Sequence, residues 1–394
     1  MENEASKKHE DSSEVYLCSG CGGNMEFDIA AQKLKCPYCQ TELDIQEDRS
    51  LIKEYDFNDV ANREANSTWN DEVSVIKCES CGAESVVEKD QTALYCSYCG
   101  SSHVLDSKQS AGIRPEGILP FKVDKNKTRE LFDKWIRSRW LAPGKLKKLY
   151  QSDKLKSVYV PYWTYDSDTD NSYTAEGGEV YYVTVERDGK KVKERKVRWY
   201  RVSGRFKRFF DDVQVNASKN FNETLMRKIE PFNTKELEPY KPQYISGYTA
   251  ERYSIGVVEC FEAAKGKMKD ALTDDVRSMV LKRYDEVRNI RIDTRYSNVT
   301  YKHVLLPVWT AQYDYNGKKY RYMINGQNGR VSGQSPLSPV KIALLILLGI
   351  AAVIAYLYFS GNLQGSSEPG LLYNSYMIYS KTIETCSAAN LYVL

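Results

Sequence analysis

One spacing, used twice, constrains this chain more than any other feature. Cys18-x2-Cys21 is followed, after fourteen residues, by Cys36-x2-Cys39, and Cys78-x2-Cys81 is followed, after fourteen residues, by Cys96-x2-Cys99. Eight of the ten cysteines lie in these two stretches, so they set the local fold wherever they occur. Two residues between cysteines let one tight knuckle offer two thiolates, and a second knuckle completes a tetrahedron. Gly22 and Gly82 follow the second cysteine of each first knuckle, where the chain needs a positive φ. Leu34 and Tyr38 recur in register as Leu94 and Tyr98. The spacing predicts two structural zinc ribbons and two Zn2+, the first ion on Cys18, Cys21, Cys36 and Cys39, the second on Cys78, Cys81, Cys96 and Cys99. The same residues also allow a mononuclear four-thiolate iron site, or disulfides. All four positions on each ion are filled by protein, so the sites hold shape and do no chemistry. Ribbons this small depend on their metal to fold. His103, four residues after Cys99, reads as a surface side chain because four thiolates already stand there.

A second feature decides where the chain resides. Ile342 to Phe359 has eighteen residues with no charge and no proline. At 1.5 Å per residue that is about 27 Å, close to the thickness of a bilayer's hydrocarbon core. A core helix normally keeps a polar stripe, and this one has none. The start, MENEASKKHEDSSE, is polar and unlike a signal peptide. Lys341, Arg330, Arg321, Lys319 and Lys318 precede the helix, whereas the first base after it is Lys381. By the positive-inside rule the expectation is a single-pass cell-membrane protein with a cytoplasmic N-terminal part and an outside tail. Cys386 in that tail is an unpaired thiol with no assigned role.

Charge separates two regions. Residues 1–112 carry 10 Lys+Arg and 22 Asp+Glu, a net of −12; residues 113–340 carry 44 and 29, a net of +15. Each four-thiolate zinc site adds about −2 more to the first region. A phosphate backbone is repelled by such a surface, which argues against nucleic acid at the ribbons. The excess of base is densest in one strand pattern, at Lys190, Lys191, Lys193, Arg195, Lys196, Arg198, Arg201, Arg205, Lys207 and Arg208. Three readings fit that run: a solvated hairpin face, contact with an anionic lipid membrane, or nucleic acid.

The rest of the chain reads as an α+β fold. Residues 1–13 are polar and disordered in expectation. Ribbon one takes 14–44, a linker 45–72, ribbon two 73–106 and a second linker 107–117. An α+β core occupies 118–335, then the transmembrane helix 341–360 and an extracytoplasmic tail 361–394. Helical spacing covers Thr128 to Trp140, Ser218 to Ile229 and Ile255 to Val287. Asp188-Gly189, Asn316-Gly317 and Asn328-Gly329 predict hairpin turns. VYVPYWTYD (158–166) and VLLPVWTAQYD (304–314) resemble one another, and each carries a proline that should confine its strand to an edge or an end. They predict two related β units. No G-x-x-x-x-G-K-[ST], G-x-S-x-G, H-E-x-x-H or dinucleotide fingerprint occurs, so neither a nucleotide-driven motor nor an enzyme is indicated.

The ribbons, GILPFKVDKNKTRELFDKWIRSRWLAP, VYVPYWTYD, LLPVWTAQYDYNGKKYRYMINGQNGRVSG and the apolar helix together resemble the bacterial double zinc-ribbon membrane proteins. That family is often labelled as transcription-factor-IIB-type zinc-ribbon or primosomal-helicase-like. Its genes stand beside those of phage-shock-protein-A-like and SPFH-domain proteins. The resemblance implies a membrane-anchored adaptor in membrane stress or membrane organisation, with the ribbons docking such a partner. The runner-up is a replication-associated, nucleic-acid-binding protein.

Overall fold

The computed structural model describes residues 16, 18–23, 25–46, 52–66, 73–78, 84–88, 104–106, 113–144, 155–187 and 190–359. In chain order its elements are β1 (Glu26–Asp28), β2 (Lys33–Lys35), β3 (Glu42–Leu43), β4 (Tyr55–Asp56), α1 (Val60–Asn66), β5 (Val73–Cys78), β6 (Glu84–Glu88), β7 (Val104–Asp106), β8 (Gly117–Ile118) and α2 (Lys125–Ser138). Next come β9 (Lys156–Arg187), β10 (Lys190–Asn216), α3 (Glu223–Ile229), β11 (Glu238–Pro239), β12 (Thr249–Glu251), α4 (Val257–Leu281), β13 (Glu286–Tyr315), β14 (Lys318–Asn325), β15 (Val331–Gly333) and α5 (Pro339–Phe359). The fold is mixed α+β, with the four-cysteine stretch at one end of the chain and one apolar helix at the other. The chain divides into two compact units, 1–128, 156–310 and 323–330 in the first, 129–155, 311–322 and 331–394 in the second.

In the first unit a sheet runs β11-β8-β13-β9-β12-β6-β5-β7, with β10 added on β9 and β4 on β13. Its spine is the antiparallel pair β9–β13, paired from Lys156↔Thr310 to Gly178↔Glu286 with register shifts on β13 between Ser297 and Thr300 and between Arg288 and Arg291. Tyr159, Tyr162, Trp163, Tyr165 and Tyr301 are fully buried on this spine, so aromatic packing supplies much of the core. Pro161 and Pro307 both lie in the middle of the sheet, not at an edge or a strand end. The ladder tolerates them because each stands where its strand changes outer neighbour. On β9, β10 pairs up to Tyr162 and β12 takes over at Tyr159. On β13, β8 pairs only at Val304 and Leu305. The missing N–H therefore meets a gap, while Pro161 O accepts from Ala217 N–H (3.0 Å) and Pro307 O from Gly326 N–H (2.8 Å).

Helix α4 covers one face of the long β10-β9-β13 ribbon. Val276 and Val280 meet Ala175, with Tyr173, Val202, Phe206 and Ile292 around them. Each indole of the spine is pinned to a strand-to-helix segment. Trp163 Nε1 donates to Ile255 O (3.0 Å) and Trp309 Nε1 to Val123 O (2.7 Å). Segment 45–72, expected to be a linker, contributes structure over its described residues. Tyr55 and Asp56 pair with Tyr301 and Thr300, and Tyr55, Phe57 and Val60 pack into the core. Their partners lie far away in sequence, so the short apolar spacing could not reveal them.

The second unit is small and aromatic. Residues 311–322 fold back at Asn316-Gly317, where both φ values are positive (50° and 75°), as a two-residue hairpin turn requires. Phe132 of α2 lies 4.3 Å from the Tyr322 ring, and Tyr313 stacks on Tyr320 at 5.5 Å. A Cβ on Gly333 would stand 2.7 Å from Tyr322 Cβ and 2.9 Å from the Trp135 ring, so this contact needs glycine. α5 starts with Ser338 as its cap and Pro339 in its first turn, and its side chains are exposed almost throughout. It is the one helix among the described residues that is long and apolar enough to cross a membrane.

Candidate metal centre

The first cysteine stretch folds as a three-stranded ribbon. β1 pairs with β2 (Phe27↔Leu34) and β2 with β3 (Leu34↔Leu43). Ala31 N–H donates to Asp28 Oδ1 (2.7 Å) in the connecting turn. Cys18, Met25, Leu34 and Cys36 are its buried core. The first knuckle closes through Gly22 N–H to Cys18 O (2.8 Å) with Gly22 at φ 72°; the second closes through Gln40 N–H to Cys36 O (3.0 Å) with Gln40 at φ 65°. The residue after the second cysteine takes the left-handed conformation in both knuckles.

This local fold gathers Cys18, Cys21, Cys36 and Cys39 so that all four Sγ atoms lie within 4.8 Å of one another. Cys18 Sγ is 3.3 Å from Cys39 Sγ, and Cys21 Sγ is 3.4 Å from Cys36 Sγ. A disulfide would need about 2.05 Å. Four thiolates at about 2.3 Å from a tetrahedral ion stand about 3.8 Å apart, within the observed range. Gly20 N–H donates to Cys18 Sγ (3.4 Å), and the Thr41 hydroxyl lies 3.1 Å from Cys39 Sγ. Thr41, by its hydroxyl and then its backbone N–H, brings Cys39 down to about 6. Cys21 goes up to about 12 even though Gly23 N–H works the other way, because the sulfurs of Cys36 and Cys39 crowd it. Thiols this close do not all ionise without a cation among them. The four sulfurs together could hold a metal ion.

The ribbon is fastened to the rest of its unit. Phe27 N–H donates to Ser246 O (3.0 Å), Ser246 Oγ to Met25 O (2.8 Å) and Tyr248 OH to Phe27 O (3.2 Å). Gln32 Nε2 reaches Phe121 O (2.8 Å). The Phe27 ring, 3% exposed, meets Tyr244 and Tyr248 at 5.5 and 6.2 Å. Gly247 has φ 80°, and a Cβ there would lie 2.9 Å from Glu26 Cβ. A metal ribbon swinging freely on a linker does not fit these contacts. Sequence reasoning missed the clamp at Ser246–Tyr248; the only local signal was the Ser-Gly-Tyr turn chemistry.

The second set of ligands is not assembled in view. Cys78 ends β5, with its side chain outside the described residues, and Cys81, Cys96 and Cys99 lie outside them entirely. So does His103. The strands of that stretch are placed by their backbones: β5 pairs with β6 and β7, and β6 joins the sheet through Ala250↔Val86.

The ten bases of β10 do not share one face, because strand side chains alternate. The side chain of Lys190 lies outside the described residues. Lys191, Lys193, Arg195, Arg201, Arg205 and Lys207 project from one side. Lys196, Arg198 and Arg208 project from the other, the side that α4 covers further down. Arg208 is consumed there, on Asp275 Oδ2 (2.6 Å) and over the Phe210 ring at 4.4 Å. Arg195 pairs with Glu286. On the open side the register adds Arg288, Arg291 and Arg295 of β13, but also Asp170, Glu176 and Asp293. Arg288 is tied to Glu176 (2.7 Å) and stacks on Trp199 at 3.8 Å. The open face is thus mixed in charge.

A carboxylate group also went unforeseen. Glu54, Asp166 and Asp212 converge in the first unit, and Lys302 Nζ lies 2.6 Å from both Glu54 and Asp212. The lysine stands where a cation would, so the group needs no ion. Asp212 takes φ 52° at the bulge between Phe210 and Val213, which turns its N–H onto Asp166 Oδ1 (2.7 Å). Burial, then the Glu54 carboxyl, raises Asp166 to about 7. His303 is fully buried beside Trp163 with Nδ1 2.8 Å from Ile113 O, and burial lowers it to about 4, so it stays neutral and structural.

No family model matches the chain, and no solved structure matches it. The uncharacterized protein YdjG of Bacillus subtilis (strain 168) is 30% identical to it over 345 residues, which span 83% of this chain and 92% of YdjG. An alignment that covers so much of both chains means that they share most of their length as one architecture. The chain belongs to the same family as YdjG.

Proposed function

We propose that this protein is a membrane-anchored zinc-ribbon adaptor that docks a protein partner. The observation that carries the reading is the pairing of a four-thiolate cluster, which offers no open position for chemistry, with an exposed apolar helix of membrane-spanning length. The ion is zinc, and a second Zn2+ sits on Cys78, Cys81, Cys96 and Cys99; the identical spacing of the two stretches supports this. The folded units face the cytoplasm and the segment beyond α5 lies outside, as the bases before the helix suggest. The docking surface is the outer side of ribbon one, where Tyr38 is 78% exposed and Leu43 half exposed, away from the clamp at Phe27. A phage-shock-protein-A-like or SPFH-domain protein is the partner the family resemblance implies, and membrane stress or organisation is the setting. Anionic lipid contact falls to the open-side bases Lys191, Lys193, Arg201, Arg205, Lys207 and Arg291 rather than to all ten bases of β10.

The two related β units also belong to this reading. Shifting 158–166 by 146 residues superimposes Pro161 on Pro307 and Trp163 on Trp309; shifting the strand-to-helix segment by 132 superimposes Val123 on Ile255 and Phe121 on Tyr253. Each tryptophan then bonds the equivalent carbonyl and meets the equivalent ring, at 5.0 Å for Trp163–Tyr253 and 5.2 Å for Phe121–Trp309. The parallel pairings Ile118↔Leu305 and Ala250↔Tyr159 correspond as well. These correspondences support reading the core as two related β units.

The test is a pull-down from solubilised membranes with Cys18 and Cys21 both changed to Ser. The variant should keep its membrane localisation and lose its partner. Retention of the partner after loss of the metal would refute docking through the ribbon. Salt-sensitive binding of DNA by the full chain, with no protein partner, would favour the nucleic-acid reading instead.

A further inference from the structure

We infer that the turn at Trp140 lies in the headgroup layer of a lipid bilayer, with the Trp140 indole as an interfacial anchor and Lys341 as the cation that meets lipid phosphate. This rests on reading α5 as a membrane span. A spanning helix generally carries amphipathic aromatic side chains at both interfaces. α5 has them at its far end only, where Tyr356, Tyr358 and Phe359 are all strongly exposed. Its first turns, Pro-Val-Lys-Ile-Ala-Leu-Leu, contain none.

The second unit supplies the missing aromatic from another part of the chain. α2 ends in a tight turn in which Trp140 N–H donates to Ser138 O (3.1 Å) and Ala142 N–H to Arg139 O (3.0 Å). The carbonyls of this turn point at the start of α5 and are taken there. Ser338 N–H donates to Leu141 O (2.9 Å), and Lys341 Nζ donates to Trp140 O and Ala142 O, both at 2.7 Å. The Trp140 backbone is therefore held at the level of Lys341, one residue before the uncharged run begins. Eighteen residues at 1.5 Å give that run about 27 Å, nearly the full hydrocarbon thickness, so Lys341 and Trp140 fall at its near boundary.

Side-chain exposure agrees with that depth. Trp140 is 63% exposed, while Trp135, Trp163 and Trp309 are buried. An indole has an apolar body and one N–H donor, which suits the boundary between acyl chains and headgroups. Leu337 and Val340 are exposed on either side of the capping serine. Arg137 and Arg139 are exposed on the same turn. The Lys341 ammonium uses two of its three donors on carbonyls and keeps one for an anionic oxygen. The occupant that fits a ring of Trp, Leu and Val edged by three bases is an anionic bilayer surface.

The experiment uses the full chain in vesicles of phosphatidylethanolamine and phosphatidylglycerol whose acyl chains are brominated near the headgroup end. Tryptophan emission of the native protein should be quenched, and Trp140→Phe should lose most of that quenching, whereas Trp135→Phe, which removes a buried indole, should keep it. Equal quenching of native protein and Trp140→Phe would overturn the inference. Flotation of the vesicles through alkaline carbonate separates this from the underlying reading: protein that floats with no Trp140 signal refutes only the interfacial turn, and protein left at the bottom refutes the span itself.

Discussion

Gly247→Ala tests whether the metal ribbon is held or hangs free. Gly247 has φ 80°, and an alanine there would put Cβ 2.9 Å from Glu26 Cβ and Cγ. Left-handed backbone costs a residue with a Cβ about 1–2 kcal/mol. The contact with Glu26 adds about 1 kcal/mol, because β1 must shift by a few tenths of an ångström to relieve it. The total of about 2–3 kcal/mol falls on the clamp, not on the sheet, because the atoms nearest to such a Cβ all belong to Glu26 of β1. At 1.4 kcal/mol per decade, the ribbon should open about 30-fold or more as often. Amide hydrogen exchange reads this directly, because the Phe27 N–H is bonded to Ser246 O only while the ribbon is docked. Exchange of β1 should accelerate by that factor, with β9 and β13 around Val160 and Leu306 unchanged and the metal retained. Unchanged exchange at Phe27 would refute the clamp. Equal acceleration in β9 and β13 would show instead that Gly247 supports the fold as a whole.

Three further outcomes are expected from the same geometry. Asp166 rises in the folded chain from an ordinary 3.8 to about 7, so the folded state binds the extra proton and stability declines as pH rises between those values. Asp166→Asn imitates the protonated form, and at pH 8 should raise the stability of the full chain in detergent by about 1–2 kcal/mol, allowing for the proton shared with Glu54, with the gain vanishing near pH 4; thermal melts across pH check this. Cys36→Ser removes a fully buried thiol of the cluster and should lower bound zinc, measured by emission spectrometry, by one ion per chain. Trp163→Phe strands Ile255 O and leaves space beside Tyr253 and His303, and should cost about 2–4 kcal/mol in denaturant unfolding, far more than Trp199→Phe on the exposed ribbon face.

What could be read in advance was what short-range chemistry decides. Cys-x2-Cys spacing specified which sulfurs meet, since a knuckle is made of consecutive residues. The uncharged run specified α5, and Asn316-Gly317 specified its turn. Helix α2 begins three residues earlier than Thr128, because Asp124 rather than Thr128 receives the first-turn amide of Lys127 (2.7 Å). What could not be read depends on partners far away in sequence. The clamp joins Met25–Phe27 to Ser246–Tyr248, 221 residues on. Lys302 meets Glu54 across 248 residues. Pro161 and Pro307 argued for edges, and only the local exchange of neighbouring strands makes the centre of a sheet acceptable to them. The bases of β10 looked like one patch because sequence has no faces; pairing with β9 and β13 divides them and brings acids among them.

The central claim is that zinc shapes a docking surface on a protein anchored in a membrane. The most direct measurement places a photo-crosslinking amino acid at Tyr38, on the outer side of ribbon one, in the full chain in living cells. The account predicts one discrete protein adduct, recovered in the membrane fraction and absent when Cys36→Ser is added. Adducts that form equally well without the metal, or crosslinks to nucleic acid alone, would contradict it.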